Sequence, residues 1–253
     1  MFVLGDPAAT LVGLVIIVFG YVVFGFTGFG ASLFTVPVLS HFYPLPLVLA
    51  LASLLDLTAA ITLGAHGRRD GALHELKWLI PFSLVGAVLG VSLLVSLSRT
   101  ASLLALGVFI GGYGAYQLAN RRRATRISGA WAPLAGTIGG ATGTLFGMGG
   151  PPYLMYLTRR IEDKNALRAT MGMMVWFSLV IRLIVFAVAG VLLQPGLATG
   201  LLWFLPAAAL GLWAGNRVHT RVANAGFVRV LHALLIVSGL SLIVRALLSL
   251  PAR

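Results

Sequence analysis

Cysteine is absent from this chain of 253 residues, and charged side chains make up only 9% of it. Without cysteine the chain can form no disulfide and perform no thiol chemistry. Soluble domains carry about 25% charged residues, so the polar sequence here is too sparse to cover a soluble core. Segments that alternate apolar and polar residues are also lacking, which excludes a membrane β-barrel.

Long apolar sequence is what the chain has in abundance. Hydrophobic residues account for 59% of it, and the mean hydropathy is +0.99. Most of the apolar runs are long enough to cross a hydrocarbon core of about 30 Å. We therefore predict an all-α polytopic membrane protein in which residues 1–253 form a single transmembrane domain. The apolar segments are 8–27, 31–43, 46–65, 77–97, 101–119, 131–149, 151–158, 166–189, 198–216 and 228–249.

Two of these segments, 31–43 and 151–158, are too short to cross a membrane. Each follows a glycine-rich stretch, TGFGAS at 27–32 in the first half and TLFGMGGPP at 144–152 in the second. Glycine and proline interrupt helices. Each short segment is thus predicted to be the return arm of a hairpin that enters the membrane and turns back.

The two halves of the chain repeat this pattern, over residues of about 8–119 and about 131–249. In each half a glycine-broken hairpin is followed by three longer segments. Three crossings are an odd number, so the second half would be inverted in the membrane, as in many duplicated transporters. The prediction is two inverted repeats with about eight full spans and two short return helices.

The distribution of positive charge favours this inverted arrangement. The net charge is +12, and one face would receive 14 of the 18 Lys and Arg residues, in loops 66–77, 120–130, 159–168 and 217–229. A tandem arrangement would divide the basic loops almost evenly, against the positive-inside rule. We expect these loops in the cytoplasm and both termini on the periplasmic or extracellular side. Aromatic residues are not interleaved with the basic ones, so nucleic acid is not an expected partner.

The two glycine breaks are the first candidate site. Helix ends within the membrane present free N–H groups and the positive end of a dipole, which suit an anion. An alternative is that the glycines only allow close helix packing, and that the hydroxyls only bond nearby carbonyls. The candidate residues are Thr27, Gly28, Gly30, Ala31 and Ser32 in the first break and Thr144, Gly147, Gly149, Gly150 and Pro151 in the second.

Two ionisable residues lie deep in apolar segments, Asp56 in LASLLDLTAA and Arg182 in WFSLVIRLIVF. A charge at such depth is costly and usually faces a cavity or a partner. Arg182 is a candidate to hold an anionic substrate. Asp56 is a candidate to carry a coupling proton or to pair with Arg182. The alternative is a structural ion pair without a transport role.

The stretch HGRRDGALHE contains His66, His74 and Glu75, which raises the question of a metal site. No third ligand is implied at metal-site spacing, so a solvated cytoplasmic loop is the expectation. The sequence predicts no metal site, no cofactor and no catalytic cluster, and hence no enzyme.

The paired stretches GFTGFGASLFTVPVL at 25–39 and GTLFGMGGPPYLMYL at 143–157 resemble the TauE/SafE sulfite exporter family, also called the toluene sulfonate uptake permease family. The resemblance implies an inner-membrane transporter, with an internal duplication, for sulfite, sulfoacetate or related anions. It places Gly28, Gly30 and Ala31 on the first motif. On the second motif it places Gly147, Gly149, Gly150, Pro151 and Pro152.

Together these observations predict a secondary transporter, either exporter or importer, that works by alternating access. The chain has no ATP-binding motif, so a gradient must supply the energy. Uptake would require coupling to a proton or to sodium. The alternatives are an anion channel and a transporter of another small anion such as a carboxylate. The sequence leaves open whether two copies form a homodimer.

Overall fold

The computed structural model of the protein describes residues 7–27, 30–63, 71–119, 126–218 and 225–248. These residues form ten α-helices and two short 3₁₀ turns, and no strand occurs among them. The helices are α1 (Pro7–Thr27), α2 (Ala31–Leu39), α3 (Leu45–Leu63), α4 (Leu73–Ser96), α5 (Arg99–Ala119), α6 (Ala132–Phe146), α7 (Gly150–Leu157), α8 (Lys164–Val188), α9 (Leu197–Val218) and α10 (Ala225–Leu248).

Six helices of the described chain are long and apolar enough to cross a membrane, namely α1, α3, α4, α5, α8 and α9. Large apolar side chains cover much of their outer surface; Val188 is 86% exposed and Leu202 is 76% exposed. Such a surface is stable in lipid and unstable in water. The all-helical membrane class is therefore confirmed, whereas the count of eight spans stays a prediction.

Both predicted helix breaks are present. Helix α1 ends at Thr27 and α2 begins at Ala31, while α6 ends at Phe146 and α7 begins at Gly150. Gly30 and Gly147 have φ angles of +97° and +76°, a left-handed conformation that glycine adopts without strain. The two breaks differ in detail, because Gly30 directly precedes the second helix of its break, α2, whereas Gly147 directly follows the first helix of its break, α6.

Close helix pairs place the two halves against each other. Helix α1 lies parallel to α9, where a Cβ on Gly211 would stand 2.4 Å from the carbonyl oxygen of Val18. Helix α6 lies parallel to α4, where a Cβ on Gly140 would stand 2.1 Å from the carbonyl oxygen of Ser83. At these positions the small residue is required by backbone contact between helices.

The last helices of the two halves, α5 and α10, pack against each other in antiparallel directions. Gly107 lies beside Ile243, and Gly111, one turn further along α5, lies beside Gly239, one turn earlier in α10. Helices α3 and α8 also contact each other, and each carries one intramembrane charge, Asp56 in α3 and Arg182 in α8.

The expectation that Glu75 lies in a solvated loop is wrong. Glu75 stands in the first turn of α4 and is only 3% exposed. Its carboxylate accepts hydrogen bonds from the Tyr156 hydroxyl at 2.5 Å and from Arg160 Nε at 2.8 Å, and His74 Nε2 lies 3.1 Å away. Hydrogen bonding to Glu75 raises the pKa of Arg160. The carboxylate is buried because these partners replace its hydration.

A second polar cluster joins the end of α2 to the end of α10. Arg245 Nη1 donates to the His41 carbonyl oxygen, and His41 Nε2 lies 3.0 Å from Ser241 Oγ. The open end of the first hairpin is thus held by α10, much as the open end of the second hairpin is held by Glu75 of α4.

Candidate functional site

A small cavity of about 50 Å³ lies where the two hairpin breaks meet α3 and α8. Both charged residues that the sequence places deep in apolar segments face it. The first half of the chain contributes Phe24, Gly30, Ser32, Leu33 and Asp56. The second half contributes Gly143, Gly147, Met148, Gly149, Gly150, Pro151, Tyr153, Val175, Ser178, Leu179 and Arg182.

Asp56 of α3 is the point at which several helices converge in this cavity. Its Oδ1 accepts a hydrogen bond from the Tyr21 hydroxyl of α1 at 2.7 Å. Its Oδ2 accepts one from Ser32 of α2 at 2.6 Å and lies 3.5 Å from Arg182 Nη2 of α8. Asp56 is 6% exposed, so these three groups replace the water that would otherwise solvate its carboxylate.

Arg182 has donor capacity that no described residue uses. Its Nη1 donates to the Gly143 carbonyl oxygen at 3.0 Å, and its Nη2 faces Asp56. Its Nε is buried and finds no hydrogen-bond partner among the described residues. A guanidinium offers five donors in a planar fork that matches an oxyanion. Among the described residues that line the cavity, Arg182 therefore has a buried donor that is left without a hydrogen-bond partner.

The starts of α2 and α7 also reach the cavity, through Gly30 and Ser32 in one case and Gly150 and Pro151 in the other. The first four N–H groups of a helix have no partner within it. Pro151 and Pro152 occupy two of these positions in α7, and proline has no N–H. The start of α7 consequently offers fewer donors than that of α2, which increases the reliance of any bound anion on Arg182.

Most of the residues predicted from the sequence line this one cavity. They are Gly30, Ser32, Asp56, Gly147, Gly149, Gly150, Pro151 and Arg182. Ala31 is fully buried beside it without lining it. Thr144 is buried as well, and its hydroxyl donates to the Gly140 carbonyl oxygen of its own helix at 2.9 Å. Gly28 and the side chain of Thr27 lie outside the described residues.

Sequence reasoning found Ser32 but missed the hydroxyls of Tyr21, Tyr153 and Ser178, which bond Asp56 or line the cavity. Tyr21 holds Asp56, and the Tyr153 hydroxyl lies 2.7 Å from Ser83 Oγ and 3.5 Å from Ser178 Oγ. A tyrosine within an apolar segment has the same sequence signal as a core aromatic residue. Ser178 could have been found, because it precedes Arg182 by four residues and so shares its helix face.

The described part of the chain contains no group of three or more His, Cys, Asp or Glu side chains that could hold a metal ion. His66 lies outside the described residues. The absence of a metal site therefore stays a prediction.

Membrane-spanning helices around a polar cavity, with two helices broken beside it, are the architecture of a membrane transport protein. The chain belongs to the sulfite exporter TauE/SafE family, which matches residues 12–242. It is also similar to "Probable inner membrane transporter protein TsaS" of Comamonas testosteroni, with 29% identity over 193 residues, 76% of this chain and 81% of that protein. No solved structure matches the chain.

Family membership confirms the resemblance carried by the two glycine-rich motifs. It also confirms that the chain is a transport protein and not an enzyme. The matched region begins in α1 and ends in α10, so it includes both hairpins and both intramembrane charges.

Proposed function

We propose that this protein is an inner-membrane secondary transporter of sulfur-containing oxyanions or organosulfonates, such as sulfite or sulfoacetate. The observation that carries the proposal is Arg182, which lines the cavity and whose buried Nε has no hydrogen-bond partner among the described residues. The description of the family as sulfite exporters and the name of the relative as an inner membrane transporter support it.

The anion would bind with its oxygens toward the Arg182 guanidinium and the start of α2. The glycines let the ligand approach the backbone closely, and charge-assisted hydrogen bonds are the strong ones in such a site. The proposed substrate-binding set is Thr27, Gly28, Gly30, Ala31, Ser32, Thr144, Gly147, Gly149, Gly150, Pro151 and Arg182. Thr144 is its weakest member because its hydroxyl is already bonded within α6.

Asp56 would couple transport to a proton. An anion at Arg182 competes with the Asp56 carboxylate, which lies 3.5 Å from the same guanidinium. Two negative charges beside one buried positive charge are unfavourable in a low-dielectric site. A proton on Asp56 removes that conflict, so proton and anion would bind together. Sodium is the alternative coupling ion.

Alternating access would arise from two inverted repeats, about 8–119 and about 131–249, within a single domain of residues 1–253. The packing between the halves supports this proposal, because the first helix of each half packs against the fourth helix of the other: α1 against α9, and α6 against α4. Helices α5 and α10 hold equivalent places in the repeats and run antiparallel. In this proposal about eight spans cross the membrane and both termini lie outside.

The test is flux into proteoliposomes of purified protein, with labelled sulfite, thiosulfate, sulfoacetate, taurine and acetate as candidate substrates. We expect saturable movement of a sulfur oxyanion. In Arg182→Gln we expect at least a tenfold rise in KM, because hydrogen bonds between charged groups contribute roughly 1.5–3 kcal/mol. Arg217→Gln is the matched control, because Arg217 is exposed and lies over the Trp213 ring.

Ligand binding is measured separately from transport, through the rise in unfolding midpoint that sulfite produces. We expect a rise in wild type and none in Arg182→Gln. A folded Arg182→Gln protein with unchanged KM would contradict the role of the arginine. Transport of acetate alone would contradict the substrate class, and flux that does not saturate would favour a channel.

Asp56→Asn tests the coupling. Because asparagine cannot take up or release a proton here, we expect its flux to become independent of the pH gradient while sulfite still raises the unfolding midpoint. Flux of the variant that still follows the pH gradient would contradict proton coupling at Asp56. A wild-type flux that follows a sodium gradient instead would point to sodium.

A further inference from the structure

A second pocket of about 360 Å³ opens on the outer side of the second hairpin, between α5, α6 and α7. We call it the lateral groove. Its walls are almost entirely apolar or aromatic, and they include Phe109, Tyr113, Trp131, Leu134, Ile138 and Met155. Trp131 is 54% exposed and Leu134 is 49% exposed. In a membrane-embedded chain such a surface faces the bilayer rather than water.

The lateral groove has a polar end and an apolar end. Arg159, Ile127 and Trp131 lie at the open end of the second hairpin, where Arg160 Nη1 donates to the Ile127 carbonyl oxygen at 3.2 Å. Ile138 and Pro151 lie toward the hairpin tip. Helix α7, which lines one side of the groove, has eight residues and is about 12 Å long.

Arg159 supplies a positive charge at the polar end that no described acidic residue neutralises. The neighbouring Arg160 is held by Glu75 at 2.8 Å. Nearby acidic groups are also occupied, since Glu162 lies 3.1 Å from Arg126 and Asp163 caps α8 by accepting from Ala166 N–H. Within the described chain the Arg159 side chain has neither a hydrogen bond nor an ion pair.

We propose that the lateral groove is a binding site for an anionic phospholipid, with one acyl chain along the groove and the phosphate on Arg159. An apolar channel with a cation at its mouth matches both parts of such a lipid. Basic residues at the edge of a membrane helix attract anionic headgroups, and the Trp131 ring suits the interface beside them. The proposal does not depend on which anion the protein transports.

The lipid would also contact the helix that encloses the anion cavity. Pro151 lines both the lateral groove and the cavity, so α7 separates the two. A bound acyl chain would pack against α7 from the bilayer side. We therefore expect anionic lipid to raise the transport rate as well as the stability of the protein.

The experiment measures lipid retention by native mass spectrometry and the unfolding midpoint of the purified full-length chain in detergent. Phosphatidylglycerol and phosphatidylcholine with identical acyl chains are compared, with inorganic phosphate as a third addition. Two variants change the groove: Arg159→Gln removes its charge, and Ile138→Trp fills its apolar part. Arg217→Gln is the control, because it also removes one arginine but lies outside the groove.

We expect wild type and Arg217→Gln to retain phosphatidylglycerol at least fivefold better than phosphatidylcholine. Arg159→Gln should lose this preference, and Ile138→Trp should lose retention of both lipids. Equal retention of phosphatidylglycerol by wild type and Arg159→Gln would overturn the proposal. So would equal retention of the two lipids by wild type, or stabilisation by inorganic phosphate alone as large as that by the lipid.

Discussion

Arg182 and Asp56 hold opposite charges in a place where charge is expensive. A buried ion pair rarely stabilises a protein more than apolar side chains of the same volume would. Here the pair also requires hydroxyls from Tyr21 and Ser32, and it still leaves the arginine Nε without a described partner. A bound anion would supply the missing acceptor for this Nε. This is the basis of the proposed anion site.

Glu75 provides a prediction about stability that is independent of transport. Glu75→Gln should lower the stability of the protein by roughly 1.5–3 kcal/mol, the range for hydrogen bonds to charged groups. The buried Glu75 carboxylate faces the Tyr156 hydroxyl and two nitrogens of Arg160. The amide of glutamine cannot accept hydrogen bonds from all three, because its nitrogen is a donor. The measurement is the thermal unfolding midpoint in detergent, which should fall by several degrees.

Glu162→Gln is the matched control for this experiment. Glu162 also pairs with an arginine, Arg126, but both side chains are at least three-quarters exposed, and exposed ion pairs contribute little. Its midpoint should stay close to that of wild type. Equal midpoints for Glu75→Gln and wild type would show that the Glu75 cluster does not hold the second hairpin to α4.

At the level of elements, the helices could be predicted closely because the bilayer limits what an apolar segment can do. The predicted segment 46–65 corresponds to α3 (Leu45–Leu63), and the hairpin of 131–149 and 151–158 corresponds to α6 and α7. The clusters of glycine and proline correctly predicted the positions of both helix breaks, between α1 and α2 and between α6 and α7. Which glycine adopts the left-handed conformation could not be predicted, because that depends on its tertiary surroundings; a Cβ added to Gly147 would lie 3.2 Å from Val36 and 3.4 Å from Ser32.

The polar partners inside the bundle were harder to predict than the helices. Glu75 follows a run of polar residues and has the local signal of a loop, yet Arg160 and Tyr156, more than 80 residues away in sequence, bury it. Periodicity reports which residues face the protein. It does not report which buried hydroxyl donates to which carboxylate.

The second hairpin break gives a prediction at this scale. Gly147→Ala should reduce anion binding as well as stability. A left-handed alanine costs about 1–2 kcal/mol, and its Cβ would lie 3.2 Å from Val36 Cγ2 of the first hairpin. The measurements are KM in proteoliposomes and the unfolding midpoint, and we expect a raised KM together with a lowered midpoint.

Gly190→Ala separates the two effects of that substitution. Gly190 has a φ of +72°, close to that of Gly147, but no atom lies within 4 Å of an added Cβ and the residue does not line the cavity. It should lose similar stability and keep the wild-type KM. If both variants raised KM equally, the effect would be one of stability and the Gly147 break would not belong to the anion site.

For the whole molecule, the orientation of the two halves is the property on which alternating access depends. The loop before α4 and the loop before α9 occupy equivalent places in the two proposed repeats. In an inverted arrangement they lie on opposite faces of the membrane, and in a tandem arrangement they lie on the same face. Positive charge favours the first arrangement, as does the antiparallel packing of α5 and α10.

The natural absence of cysteine makes this orientation directly measurable, because a single introduced thiol is the only one in the chain. His74→Cys labels the start of α4, where the side chain is 75% exposed, and Gln194→Cys labels the turn before α9. In right-side-out vesicles, a membrane-impermeant maleimide should modify Gln194→Cys at once and His74→Cys only after permeabilisation. Modification of both from the same side would rule out inverted repeats, and with them the proposal that two opposed hairpins expose one anion site alternately to the two faces.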